Sequence, residues 1–102
     1  MRRGKEIAQG SHASMGFLFK EHDEDITVEW LNGGQTKICV VVNSEKELFE
    51  VYDKANDIGL HTTIIQDSGR TEFGRVPTYT AVAIGPNDGS EIDKITGKLK
   101  LY

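Results

Sequence analysis

The segment from Lys37 to Gln66 restricts the fold more than any other part of the chain. Lys37-Ile38-Cys39-Val40-Val41-Val42 is a continuous apolar run rich in β-branched residues, the pattern of a strand covered on both faces. Ser44-Glu45-Lys46-Glu47 follows as a capping box, in which the Ser side chain and Glu47 satisfy each other's orphan amides. Leu48, Val51, Tyr52, Ala55 and Ile58 then form the apolar stripe of a helix that Gly59 ends. His61-Thr62-Thr63-Ile64-Ile65-Gln66 reads as a second strand. Strand, helix and strand over about 30 residues predict a right-handed crossover joining parallel strands. Ligands of such sheets gather beyond the carboxyl ends of the strands. Asp67 stands just there, which makes it a candidate functional residue before anything else is known.

The flanking sequence supplies further elements. From Gly4 to about Lys20 the spacing of Ile7, Ser11, Met15, Leu18 and Phe19 predicts a helix with one apolar face. Gly10, Ser11, Ala13, Ser14 and Gly16 weaken it, since each Gly costs about 1 kcal/mol relative to Ala, but they permit close approach to a sheet or a substrate backbone. Glu21 to Asp25 is a polar break. Ile26 to Leu31 reads as one or two helical turns stopped by Asn32-Gly33-Gly34. After a loop from Asp67 to Gly74 come a strand from about Thr78 to Ile84, Gly85-Pro86, a helical turn around Ser90–Ile95 and a short extended tail from Leu99 to Tyr102. The expected fold is α/β, a three-layer α/β/α arrangement around a small mixed sheet, in one domain spanning 1–102.

Charge and composition exclude several classes. A net charge of −4 argues against a general nucleic-acid binder. The distribution is uneven, however. Arg2, Arg3 and Lys5 open the chain, Glu21, Asp23, Glu24, Asp25 and Glu29 follow the first helix, and Lys94, Lys98 and Lys100 come near its end. If both ends and Arg70 meet in space, one face is basic; otherwise these are solvated surface charges. No apolar run approaches the roughly 18–20 residues that span a bilayer. No zinc spacing or phosphate loop occurs. Cys39, inside the apolar run, is expected to be a buried thiol of a reducing, cytoplasmic setting, and Trp30 is expected to pack rather than stack on a base.

Four separated segments carry a resemblance. Met1 to Ser14, MRRGKEIAQGSHAS, is similar to the first-helix signature of the archaeal and eukaryotic type of peptidyl-tRNA hydrolase, and Asp67-Ser68-Gly69-Arg70-Thr71-Glu72 is similar to its central loop. Val76-Pro77-Thr78-Tyr79-Thr80 with Ala83-Ile84-Gly85-Pro86 resembles the strand after that loop, and Ile92 to Leu101 resembles the C-terminal signature. The resemblance implies a metal-free, cofactor-free esterase that cleaves peptidyl-tRNA and recycles the tRNA. It implies catalytic roles for Lys5, Asp67, Thr71 and Thr80, with Gln9, His12, Arg70 and Lys98 binding substrate. Asp67 would orient or activate water, Lys5 would stabilise the oxyanion or hold a phosphate, and the threonine hydroxyls would bond the water or the ribose. The implied partner is the acceptor stem and 3′ end of a peptidyl-tRNA, read through phosphates and shape, with no membrane. A homodimer is left open.

The chain departs from the family pattern at Glu72, where Gln is frequent, at Lys98, where His is frequent, and by one extra residue between Thr71 and Thr80. These departures fit a bacterial- or phage-like branch. The family's usual hydrophobic first strand is also missing ahead of Met1, which by analogy leaves unpaired backbone edges and an apolar slot. An upstream start, a rearrangement or a partner chain would fill that slot. Two other functions compete with the esterase: a non-catalytic tRNA- or protein-binding module that keeps the fold without turnover, and a small-molecule-binding regulatory domain with Asp67 as polar anchor. Asp67 before Gly69 is also a candidate Asx turn. The separation of Lys5 and Asp67 in space discriminates among these.

Overall fold

A computed structural model describes residues 1–67 and 76–102. Its elements are α1 (Arg3–Met15), a 3-10 helix (Gly16–Phe19), α2 (Glu24–Asn32), α3 (Glu45–Asp57), β1 (Thr62–Asp67), β2 (Thr78–Ile84) and α4 (Gly89–Thr96). The α/β class and most of the expected elements are therefore present. β1 and β2 pair antiparallel from Thr62 opposite Ile84 to Asp67 opposite Thr78. α1 and α3 both pack on this pair. Gln9 of α1 reaches Thr80. Asn56 of α3 accepts from the Thr62 hydroxyl, and Phe49 of α3 meets the Tyr79 ring edge-on at 4.8 Å.

Local chemistry sets the helix starts. Asp23 accepts from the Ile26 amide at 3.1 Å and Ser44 from the Glu47 amide at 3.1 Å, so each cap satisfies one orphan donor. At the start of α4, Asp88 accepts from the Ser90 amide and hydroxyl, bonds that hold its carboxyl below the ordinary range. Replacing Ser44 by Ala is expected to destabilise the protein by about 1 kcal/mol. A urea titration with an unchanged slope and a lower midpoint checks it. α3 ends as expected, with Gly59 at φ +80°, a conformation only Gly adopts freely. Leu48 and Ala55 are the buried members of its stripe, while Ile58 is 48% exposed.

Four expectations are corrected. Residues 37–42 do not form a strand. Val40 makes one isolated antiparallel bridge with Leu101, supported by Val41 N–H to Lys100 O and Tyr102 N–H to Cys39 O. A β-rich run becomes a strand only where a neighbour offers a ladder, and among the described residues the tail alone does so. The parallel crossover is therefore not formed, and the described sheet is the antiparallel pair β1–β2. Cys39, lying on this bridge, is exposed rather than buried.

The fourth correction concerns the orientation of the first helix. Ile7, Met15 and Leu18, expected on its buried face, are exposed, as is Phe19 at 86%. The side turned inward carries Gln9, Ala13 and Phe17 instead, at 5%, 4% and 5% exposure, with Lys5 four residues before Gln9. Two polar groups on the sheet, Thr80 and Asp67, give those inward polar side chains partners, so the helix meets the sheet through paired polar groups as well as apolar ones. Trp30 packs as expected. Its ring meets Phe17 edge-on at 5.8 Å, its Nε1–H donates to Thr36 O at 2.8 Å, and the Lys37 ammonium sits over it. No helix among the described residues is long and apolar enough to cross a membrane.

Candidate active site

The site lies where the first turns of α1 cross the C-terminal end of β1. Lys5 is in the first helical turn, where a cation opposes the positive end of the helix dipole. A carboxylate offsets that disadvantage: Lys5 Nζ lies 2.6 Å from Asp67 Oδ1. The side chains are 19% and 9% exposed, so this pair sits well below the solvated surface, where isolated ion pairs contribute little. Asp67 ends β1 opposite Thr78, so the antiparallel ladder fixes the direction of its backbone; the candidate Asx turn toward Gly69 lies outside the described residues.

One helical turn further along α1, Gln9 Nε2 donates to Thr80 Oγ1 at 2.7 Å. Residues four apart on a helix lie on one face, with Cβ atoms about 5–6 Å apart. Lys5–Asp67 and Gln9–Thr80 are thus two successive polar rungs between α1 and the sheet. A β-bulge makes the second rung possible. Ile65 pairs with Ala81 and Gln66 with Tyr79, leaving Thr80 as the extra residue on β2. Such a bulge re-aims a side chain relative to the regular alternation, and here Tyr79 meets α3 while Thr80 meets α1. No sequence signal marks this bulge.

The other expected site residues divide into two groups. His12 is exposed on α1, seven residues beyond Lys5, and Lys98 is exposed just after α4. No contact joins either to the four paired side chains among the described hydrogen bonds and ion pairs. Thr71 and Arg70 lie outside the described residues. Of the basic residues near the end, Lys94 pairs with Glu91 on its own helix at 2.9 Å, while Lys98 and Lys100 are exposed. One neighbour of the site was not anticipated: the Tyr102 hydroxyl contacts Glu6 Oε2, tying the tail to the turn that carries Lys5. A separation of 96 residues leaves no local pattern for such a contact.

An open cleft of about 490 Å³ lined by Glu21, His22, Asp23 and His61 contains none of these residues. Among the described residues no group of three His, Cys, Asp or Glu is arranged to hold a metal ion. Chemically, the two rungs provide a carboxylate able to accept from water, an ammonium able to stabilise an oxyanion, and a hydroxyl beside them.

A family model described as peptidyl-tRNA hydrolase PTH2 matches residues 1–102. The peptidyl-tRNA hydrolase of Methanocaldococcus jannaschii is 50% identical over 103 residues, covering 99% of this chain and 89% of that protein. That of Methanothermobacter thermautotrophicus is 43% identical over 101 residues, covering 99% and 88%. That of Halobacterium salinarum is 42% identical over 102 residues, covering 100% and 89%.

Proposed function

The chain belongs to the peptidyl-tRNA hydrolase PTH2 family, and from that premise we propose that it hydrolyses the ester joining a peptide to the ribose of its tRNA. The observation that carries a mechanism is the close, largely shielded contact of Lys5 with Asp67. A module that had lost turnover would have no use for a cation and a carboxylate held together at a helix start.

In the proposed reaction Asp67 accepts a hydrogen bond from water and aims its oxygen at the ester carbonyl carbon. Water attacks, the carbonyl oxygen becomes an oxyanion, and the Lys5 ammonium stabilises that charge where it develops. The carbon–oxygen bond to the ribose then breaks, the 3′ oxygen takes the proton that Asp67 removed from the attacking water, and the peptide leaves as a carboxylic acid that loses its own proton to solvent. Thr80 and Thr71 are assigned to the water and the ribose, and Gln9, His12, Arg70 and Lys98 to binding. Held in place beforehand, such donors and acceptors act without reorganising as the charge forms, which is why preorganised sites accelerate so strongly.

The proposal extends to the whole of 1–102 as one hydrolase domain and to the acceptor stem and 3′ end of peptidyl-tRNA as partner, with sedimentation deciding between a monomer and a homodimer. Glu72, Lys98 and the extra residue between Thr71 and Thr80 support a bacterial- or phage-like branch. The test is release of free tRNA from an N-blocked aminoacyl-tRNA. Release is expected to be well above the spontaneous rate, and Lys5→Gln is expected to lower it by about 10²-fold. Binding of the tRNA without any release would favour the non-catalytic module instead.

A further inference from the structure

The Gln9–Thr80 contact has a direction, and that direction determines what the Thr80 hydroxyl can do. A threonine hydroxyl has one proton and two lone pairs, whereas an amide nitrogen has protons and no lone pair to offer. Gln9 Nε2 therefore occupies a lone pair of Thr80 Oγ1 at 2.7 Å and cannot receive the Thr80 proton. Among the described residues the acceptor for that proton is Ile65 O, at 3.5 Å. Hydroxyl bonds cluster near 2.7–2.8 Å, so this one is stretched and weak. Gln9 is 5% exposed, which keeps water from taking its place and fixes its amide against the sheet.

We propose that Gln9 is a positioning residue whose amide, by donating to Thr80, leaves the Thr80 hydroxyl proton to be donated to a substrate oxygen at the scissile ester. This rests on the hydrolase reading above and adds a direction to it: Thr80 is a donor, not an acceptor, in the bound complex. A substrate oxygen at ordinary bonding distance outcompetes the stretched bond to Ile65 O. The bulge at Thr80 serves the same end, since it turns that hydroxyl to α1, the helix that also carries Lys5.

Gln9→Glu and Gln9→Met separate this role from simple packing. A carboxylate at position 9 would accept the Thr80 proton and withdraw it from the substrate, and protonating that carboxylate would return a donor to Thr80. The expected result for Gln9→Glu is a kcat lowered by about 10²-fold at pH 8 and recovering severalfold toward pH 5, with KM changed much less. Gln9→Met, of similar shape but with no amide, is expected to lose kcat without that acid recovery. Lys5 and His12 on α1 and Asp67 on β1 are present in both variants, and β2 carries no charged residue, so the acid recovery that Gln9→Glu shows and Gln9→Met lacks reports the carboxylate at position 9. Wild-type kcat for Gln9→Glu at pH 8 would overturn the proposal, because Thr80 would then be donating to position 9.

A second measurement needs no turnover. In Thr80→Val the Gln9 side-chain amide loses its acceptor, and its ¹⁵N–¹H resonances are expected to shift relative to wild type. Unmoved resonances in a folded variant would overturn the bond itself. If wild-type protein releases no tRNA, the hydrolase reading fails, while the resonance test still decides whether the Gln9–Thr80 bond is made.

Discussion

Asp67→Asn is expected to lower tRNA release by about 10²–10⁴-fold, the usual range for removing a positioned acid–base group. The substitution keeps shape but replaces an acceptor-only carboxylate by an amide with one acceptor oxygen and two donors. It also deprives the Lys5 ammonium, 19% exposed, of its anionic partner, so stability falls too, by about 1–3 kcal/mol. The double variant Lys5→Gln/Asp67→Asn separates the two effects. Neutralising both members removes the charge that the single change leaves opposite an amide, and the loss of stability in the double variant is expected to be smaller than the sum of the single losses. Activity is expected to stay low. If Asp67→Asn turns over a peptidyl-tRNA at the wild-type rate, Asp67 is a structural counterion and the proposed water-activating role is lost. Thermal unfolding and single-turnover rates on the same four proteins are sufficient to decide.

The second large effect is expected at Gly16, where the chain passes from α1 into the 3-10 helix. Its backbone is in ordinary right-handed geometry, φ −61°, so the requirement for Gly is not conformational. It comes from β1: a Cβ placed on Gly16 would overlap Thr63 Cγ2, with Thr63 Cβ at 3.2 Å. Thr63 is 5% exposed and paired with Ala83 across the sheet, so it has little freedom to retreat. Gly16→Ala is therefore expected to destabilise by about 1–3 kcal/mol through overpacking, outweighing the roughly 1 kcal/mol that Ala gains in helix propensity. For a domain of this size each kcal/mol corresponds to about 4–8 °C in Tm. Thr63→Ser removes the overlapping methyl, and the double variant is expected to recover most of the loss. A Gly16→Ala protein as stable as wild type would show that helix and sheet are not held at this separation.

Both effects arise from the packing of α1 against β1 and β2, and that packing was the least legible part of the sequence. The apolar positions Ile7, Met15 and Leu18 have helical spacing, which does indicate a helix, yet the same spacing points to the wrong face. Periodicity assumes that the buried side of a helix is its apolar side. Here α1 lies over a polar site, and Gln9 and Lys5 turn inward because Thr80 and Asp67 meet them. The small residues gave the more reliable clue. Gly16 does allow the close approach to the sheet that the run of Gly, Ser and Ala suggested.

The run from Lys37 to Val42 failed for a different reason. Its β-branched composition describes a preference, and a preference yields a strand only when another chain segment supplies hydrogen-bonding partners. Val40 finds Leu101 and little more among the described residues, so Ile38 stays 73% exposed. β1 and β2 carry similar local signals but have each other, and their expected limits are met within a residue.

The sequence alone determined the family, through four ordered segments, and the local elements whose causes lie within a few residues: the Ser44 cap, the Gly59 stop, the stripe of α3, β1, β2 and α4. It also nominated Lys5, Gln9, Asp67 and Thr80 as members of one site. Only the tertiary structure decided that these four meet as two rungs, which way the Gln9–Thr80 bond points, and that an unsignalled bulge turns Thr80 to α1. Those outcomes depend on residues 62 and 71 positions apart in the chain, Lys5 with Asp67 and Gln9 with Thr80. Local propensity carries no information about such distant pairings; the packing of α1 on β1 and β2 brings them together.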